Sequence, residues 1–258
     1  MSRVRTAVAS WLALLCLGLL LSAQGHAAVS LAGTRLIFDG RFREVSIQAS
    51  NQGASEVLLQ AWLSDASEDA TRPGDLPFVV TPHLVHLPAQ GKQSLRLLYQ
   101  GVGMPSERES LLHLYVMEIP RRSDARQQLT IAVRQRINVF YRPAGLIGNP
   151  ADAAQALSWQ LATGPGGASE LRVHNPTPFH VSLLDVQLDG LPVKDDWLLK
   201  PGEATSLSLA RLSPATRLSF KALTDYGGQR DFCADLNPDK PVNAQLSSGI
   251  VHPPIGKC

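Results

Sequence analysis

Apolar and polar residues alternate along much of the chain, and the longest such run covers residues 129–143. One parity of this run carries Leu129, Ile131, Val133, Ile137, Val139 and Tyr141, while the other carries Arg134, Arg136, Asn138 and Arg142. Successive side chains of a strand point to opposite faces, so the pattern predicts one long strand with an apolar side and a basic side. Such a strand is suited to gripping another polypeptide.

Shorter apolar or alternating runs, separated by turn residues, recur on both sides of this strand. They cover residues 45–49, 57–63, 84–87, 95–99, 112–116, 171–173, 181–188, 205–209 and 218–223. The sequence contains 18 prolines and 20 glycines, which punctuate these runs. After the first 27 residues, no segment shows a sustained 3.6-residue period with helix caps. The pattern therefore predicts an all-β protein built from β-sandwiches, with helix as a minor component.

The beginning of the chain has the pattern of a secretory signal. Arg3 and Arg5 precede an apolar run, residues 11–21, and the small-residue sequence Gly-His-Ala-Ala follows at 25–28. The apolar run is about a dozen residues long, against the roughly 20 that a membrane span needs. A cleaved signal, residues 1–27, is therefore favoured over a membrane anchor. No later segment is apolar for long enough to span, so we expect no stable membrane insertion.

The charge of the chain changes when the predicted signal is removed. Of 24 Lys and Arg residues, two lie in the first 27 positions, whereas none of the 22 Asp and Glu residues does. The remaining chain has a formal charge of zero, so any basic patch is local. Binding to nucleic acid is therefore not expected.

The three cysteines reduce to two in the exported chain. Cys16 lies in the predicted signal, so Cys233 and Cys258 remain as an even pair in an oxidising compartment. A disulfide between them is the interpretation we favour, with two free thiols or half of a metal site as alternatives. No Cys-x-x-Cys accompanies them, and His83 and His86 are three apart, on opposite faces of a strand. We expect neither a metal nor another cofactor.

Alternation stops in one segment near the middle of the chain. Residues 144–154 read A-G-L-I-G-N-P-A-D-A-A and have no period of two. The parts before and after this segment are similar in length, and each is near the common domain size of about 100 to 150 residues. We therefore predict two domains, residues 28–144 and 145–258.

Five stretches of the sequence carry a family resemblance. They are A-V-S-L-A-G-T-R-L-I-F-D-G (28–40), R-E-S-L-L-H-L-Y-V-M-E-I-P (108–120), F-Y-R-P (140–143), N-P-T-P-F (175–179) and D-Y-G-G (225–228). In this order they resemble the PapD-like periplasmic chaperones of the chaperone–usher pathway, which assembles pili and fimbriae. The resemblance covers nearly all of the chain beyond residue 27. It implies two immunoglobulin-like sandwiches in a boomerang arrangement, with a binding surface in and beside the cleft.

The resemblance also implies a function for the long strand. A pilus subunit of this pathway lacks its last strand, and the chaperone fills the resulting groove, prevents aggregation and delivers the subunit to an outer-membrane usher. Leu129, Ile131 and Val133 stand at the positions of the family's donor residues. Without the resemblance, they would be assigned to the core of their own domain. An exposed apolar edge also favours aggregation, and a self-capping dimer is one way to cover it.

The donor residues share their parity with residues that are expected to be buried. This parity continues through Ile137 and Tyr141, which are expected to pack inside the protein, whereas Ile131 should face a partner. We predict a twist or bulge near residues 134–136 that changes which face is buried.

Arg35 stands at the position of the family's first-strand arginine. The resemblance implies that this arginine, together with a lysine on the long strand, anchors the C-terminal carboxylate of the subunit, which suits the donor fork of a guanidinium. Asn138 occupies the lysine position, where its amide can still donate a hydrogen bond to the carboxylate, but the second positive charge is missing. Arg136, two residues away on the same parity, is the candidate for supplying it.

Glu109, Arg142 and Asp225 match a charge cluster that lies between the two domains of the family. The resemblance implies that they set the angle between the domains. Without the resemblance, they would be three unrelated surface charges.

Two other classes of protein, an enzyme and a secreted structural module, fit the sequence less well. The sequence has no Gly-x-Ser-x-Gly, His-Glu-x-x-His or phosphate-binding glycine loop, so no enzyme is predicted. A secreted structural module with immunoglobulin-like domains, such as a pilin or adhesin component, is the alternative function. It explains the signal, the strands and the cysteine pair, but not Arg35, the donor-like strand and the charge cluster together.

Overall fold

The strands of the first half form two sheets that face each other. The computed structural model describes residues 28–66, 76–121, 131–164, 169–209, 216–238 and 240–247. The strands are β1 (Val29–Leu31), β2 (Arg35–Asp39), β3 (Glu44–Asn51), β4 (Val57–Asp65), β5 (Phe78–Thr81), β6 (Leu84–Leu87), β7 (Lys92–Tyr99), β8 (Ser110–Pro120) and β9 (Val133–Arg142). The sheet orders are β1-β3-β7-β5 and β2-β9-β8-β4-β6. We call this unit the first sandwich.

The second half repeats this arrangement after a short helical connection. A 3₁₀ turn (Pro150–Asp152) and helix α1 (Ala153–Ala156) lead to β10 (Ser158–Thr163), β11 (Ser169–His174), β12 (Val181–Leu188), β13 (Leu191–Leu199), β14 (Ala204–Leu209), β15 (Thr216–Leu223), β16 (Gln229–Leu236), β17 (Val242–Asn243) and β18 (Gln245–Leu246). The sheet orders are β14-β11-β10-β17 and β13-β12-β15-β16-β18. We call this unit the second sandwich, and the predicted all-β class is confirmed.

Each sandwich has its own apolar core. Alternating residues of β7 and β8, such as Leu95, Leu97 and Leu112, are fully buried in the first. In the second, the ring of Phe220 lies between those of Trp159 and Phe232, with centroid distances of 5.2 and 5.4 Å. Each such side chain contributes about 1.5 to 3 kcal/mol when buried. Within the described ranges the two pairs of sheets share no strand, and the division after residue 144 stays our proposal for the domain boundary.

The first two strands of the chain belong to different sheets, although only a few residues separate them. β1 pairs antiparallel with β3, whereas β2 pairs in parallel with β9. The parallel register places Arg35 opposite Asn138 and Asp39 opposite Arg142. This change of sheet brings Arg35 beside the middle of the long strand.

The bulge predicted near residues 134–136 is wrong. β9 pairs with β8 in unbroken register from Tyr141 opposite Ser110 to Val133 opposite Glu118. Alternate residues of β9 therefore stay on the same face of the sheet along its whole length. On that face, the apolar core of the first sandwich extends only as far as Ile137. Beyond it, Gln135 and Val133 are half-buried, and the Gln135 amide donates to the Val29 carbonyl at 2.7 Å. The environment of this face changes because the sandwich ends, not because the backbone is irregular.

Several predicted features lie outside the described residues. These are the signal (1–27), Leu129 and Cys258. Cys233 itself is buried on β16 and is disulfide-bonded. Its pairing with Cys258 stays a prediction. Among the helices that the structure describes, none is long and apolar enough to cross a membrane.

We expect Cys258→Ser to leave one free thiol in the exported chain, because Cys233 then loses its predicted partner. Titration of the denatured protein with a chromogenic disulfide reagent should detect no thiol in the parent and one in the variant. The reduced parent, with two thiols, is the control. A parent that titrates two thiols without reduction would contradict the pairing.

Candidate functional site

Arg142, near the end of β9, joins two carboxylates that come from different sandwiches. Its Nε and Nη2 donate to Glu109 Oε1 at 3.0 and 2.9 Å. Its Nη1 and Nη2 donate to Asp225 Oδ2 at 2.8 Å and Oδ1 at 3.0 Å. Burial disfavours the charged guanidinium, but the hydrogen bonds and negative charges of Asp225 and Glu109 outweigh it and raise the pKa of Arg142. All three guanidinium nitrogens are therefore occupied.

His180 is a further member of this cluster. The second oxygen of Glu109, Oε2, accepts from the His180 backbone N–H at 2.8 Å and lies 3.0 Å from His180 Nδ1. The imidazole packs against Phe140 with centroids 5.4 Å apart. The Glu109 backbone N–H also donates to the Pro178 carbonyl at 2.9 Å. Sequence analysis missed His180, although it directly follows the N-P-T-P-F stretch that was singled out.

The structure brings together Glu109, Arg142 and Asp225, which were predicted as an interdomain cluster: each carboxylate lies within hydrogen-bond distance of the guanidinium. Glu109 is 3% exposed and the Arg142 side chain 18% exposed, so most of the cluster is shielded from water. Charge-assisted bonds in such a setting are strong only while every charge keeps its partner. Their role in setting the angle between domains stays a prediction.

Arg35, at the start of β2, is partly buried and incompletely paired. Its guanidinium carbon lies 5.7 Å from the centroid of the Phe140 ring. Its Nε is buried and has no hydrogen-bond partner among the described residues. Desolvation lowers the pKa of Arg35, and the charges of Asp225 and Glu109 partly offset this effect. An unpaired buried donor costs free energy, so an incoming anion would stabilise this side chain.

A cavity of about 380 Å³ lies between the two sandwiches, at Arg35. Its lining includes Arg35, Phe140 and Arg142 from the first sandwich, and Asp225, Tyr226 and Arg230 from the second. Neither Asn138 nor Arg136 is among the described residues that line it. Because Arg142 is bound to Glu109 and Asp225, the cationic side chains of the described lining that an anion could contact are Arg35 and Arg230.

The basic side of β9 continues away from the cavity along an aromatic surface. The Arg134 guanidinium lies 5.4 Å from the Tyr115 ring centroid, and Trp62 stacks on the same ring at 5.4 Å. Arg136 is exposed and lies opposite Tyr115 in the register of β8 and β9. At about 3.3 Å per residue, it starts roughly 13 Å from Phe140, which lines the cavity.

One edge of β9 is free over half of its length. β2 pairs only with residues 138–142. Upstream, residues 133–137 pair with β8 on one side and, within the described part of the chain, with no strand on the other. Ile131 just before this edge is 64% exposed. Unpaired main-chain groups beside an exposed apolar side chain form a template for an added strand.

Comparison with known proteins identifies the family. Residues 28–147 match the model of the PapD N-terminal domain, described as a pili and flagellar-assembly chaperone. Residues 152–234 match the C-terminal domain of the pili assembly chaperone PapD. The chain belongs to the PapD family of pilus-assembly chaperones. This family is periplasmic and non-enzymatic, and the predicted fold of two immunoglobulin-like domains is confirmed.

Individual relatives agree with this assignment. The chaperone protein FimB/FhaD of Bordetella pertussis is 34% identical over 228 residues, covering 84% of this chain and 91% of the relative. The crystal structure of the YadV chaperone is 29% identical, has a TM-score of 0.67, and is matched over 81% of this chain and all of that one. A structure of Salmonella enterica SafA pilin with the SafB chaperone is 26% identical, with a TM-score of 0.68 and coverage of 87% and 99%. These matches favour a pilus-assembly chaperone over a structural module.

Proposed function

We propose that this chaperone captures pilus subunits by lending them the β9 edge and the residues before it. In this way it prevents their aggregation and delivers them to an outer-membrane usher. The free edge at residues 133–137 is the observation that carries the proposal. A related structure that pairs a chaperone with a pilin supports a subunit as the partner.

In this donor-strand complementation, the segment of the chaperone completes the fold of the subunit. Both its backbone and its side chains contribute to binding. Main-chain hydrogen bonds along the edge hold any extended strand, which makes the grip tolerant of subunit sequence. Leu129, Ile131 and Val133 then enter the open groove of the subunit. Each fully buried side chain contributes about 1.5 to 3 kcal/mol before the cost of ordering is subtracted.

Arg35 is proposed to bind the C-terminal carboxylate of the subunit. Its buried Nε lacks a partner among the described residues, and its side chain lines the cavity at the end of β9. A guanidinium fork can hold a carboxylate with two parallel hydrogen bonds. The anchor would set the register in which the subunit strand runs along β9.

Arg35→Ala is expected to weaken subunit binding about tenfold or more, because a charge-assisted hydrogen bond contributes about 1.5 to 3 kcal/mol. Arg136→Ala should weaken it less. Denatured subunit is diluted into increasing chaperone, and the complex is quantified by size exclusion. Arg41→Ala is the control, since Arg41 pairs with Asp39 and its side chain is 70% exposed. Unchanged affinity in both test variants would contradict a carboxylate anchor.

The Arg142 cluster is proposed to hold the angle between the two domains. Glu109 contacts Arg142, His180 and Pro178, and Arg142 reaches Asp225 across the cleft. A shielded cluster of this kind specifies geometry because each charge is stable only with its partners in place. A fixed angle keeps Arg35 and β9 correctly placed for one subunit.

We also propose that the chain is exported, and that its free edge is protected when no subunit is bound. Residues 1–27 would direct the chain to the periplasm and be cleaved there, and the oxidising compartment would permit the Cys233–Cys258 disulfide. Without a subunit, the free β9 edge exposes Ile131 to unwanted pairing. Self-capping by a dimer through this edge would protect it.

A further inference from the structure

The charged side chains that line the interdomain cavity do not cancel. Arg35, Arg142 and Arg230 face Glu109 and Asp225, which leaves an excess of one positive charge when His180 is neutral. Arg142 uses all its guanidinium nitrogens on Glu109 and Asp225. The cavity therefore holds two cations, Arg35 and Arg230, for which the described residues provide no ion pair.

Arg230 lines the same cavity as Arg35 but belongs to the second domain. It is on β16 opposite Ala222 of β15, and Ala222 also lines the cavity. Its side chain is exposed, and its one recorded hydrogen bond within the described ranges is a long one, from Nη1 to the Ala151 carbonyl at 3.5 Å. A weakly held guanidinium can turn towards an anion at little energetic cost.

We infer that Arg230 supplies the second positive charge of the carboxylate site, which Asn138 cannot provide. This inference rests on the proposed role of Arg35. The amide of Asn138 is neutral, and charge-assisted hydrogen bonds are roughly twice as strong as neutral ones. The ligand is a terminal carboxylate, held by Arg35 of the first domain and Arg230 of the second.

Arg136, the residue that sequence analysis favoured for this charge, is less well placed. It is exposed, lies opposite Tyr115, and starts roughly 13 Å from Phe140 at the usual strand rise. It is not among the described residues that line the cavity.

A site shared by two domains couples binding to their orientation. If Arg35 and Arg230 both contact one carboxylate, the ligand favours the domain angle at which both reach it. The Arg142 cluster crosses the same cleft through Asp225 and restricts that angle. Binding of the carboxylate would then stabilise one domain orientation, and a fixed orientation would in turn strengthen binding of the carboxylate.

The test compares Arg230→Gln with Arg136→Gln, which removes the same charge from outside the cavity. The probe is a synthetic peptide of the C-terminal segment of the cognate subunit, prepared as the free acid and as the amide. Titration calorimetry with the full exported chain measures both affinities. Arg230→Gln is expected to weaken the free acid about fivefold, the upper range for an exposed ion pair, and to leave the amide unchanged. Arg136→Gln should not weaken the free acid selectively, and Arg230→Lys should recover part of the loss.

Several results would overturn the inference. These are equal loss of acid and amide in Arg230→Gln, no loss of acid, or a selective loss of acid in Arg136→Gln alone. Arg35→Ala distinguishes a failure of the carboxylate site from a failure of Arg230 alone. If Arg35→Ala does not reduce the preference for acid over amide, the carboxylate site itself is wrong. If it does and Arg230→Gln does not, only the role of Arg230 fails. Equal thermal unfolding midpoints show that each variant is folded.

Discussion

Replacing Ile131 and Val133 together by asparagine is expected to abolish stable subunit capture and to leave the chaperone folded. Two apolar side chains would no longer enter the groove of the subunit, at a cost of about 3 to 6 kcal/mol. This corresponds to a loss of affinity on the order of 100-fold or more. Ile131 is 64% exposed and Val133 half-buried in the free protein, so their own domain depends little on them.

Co-expression with the subunit and recovery of the complex measure this effect. Ala132→Asn is the matched control, because Ala132 is exposed in the same segment but has the opposite parity. The control should recover as much complex as the parent. Normal capture by the Ile131 and Val133 double variant would show that the subunit is held elsewhere, and donor-strand complementation by this segment would be wrong.

Arg142→Ala is expected to lower the free energy of unfolding by about 3 to 5 kcal/mol, the usual cost of breaking a buried ion pair. The reason is the carboxylate that remains: Glu109 is 3% exposed and would lose two hydrogen bonds from the guanidinium. Asp225 would also lose its link to the first domain. The domains should therefore become both less stable and less fixed in orientation.

Urea unfolding measures the stability, and small-angle scattering measures the spread of domain orientations. Arg41→Ala removes an exposed ion pair with Asp39 and should leave the free energy of unfolding nearly unchanged. Adding Glu109→Gln to Arg142→Ala should restore part of the lost stability, because it removes the uncompensated charge. If Arg142→Ala unfolded like the Arg41→Ala control and scattered like the parent, the cluster would have no structural role.

Much of the fold was predictable because strands have a simple period. The alternation in residues 129–143 identified the side of β9 that faces the core, and Ile137, Val139 and Tyr141 are indeed buried. The spacing of turn residues was sufficient to predict the all-β class. Local patterns contain this information because the face of a strand is set by parity alone.

The errors and omissions concern contacts between distant parts of the chain. The predicted bulge failed because parity shows which side is apolar but not how far the opposing sheet extends. His180 was missed because its partner, Glu109, is 71 residues away in sequence. Arg230 was missed for the same reason, since its place at the cavity depends on how the two domains meet.

The sequence by itself determined the strand periods, the split between an apolar and a basic side of β9, and the absence of a lysine at Asn138. Tertiary structure alone decided where the core ends, which edge of β9 stays free, and which arginines face the cavity. The physical reason is that side-chain direction is a local property of the backbone. Burial, edge pairing and charge compensation instead depend on the residues that folding brings opposite, and these come from other strands and from the other domain.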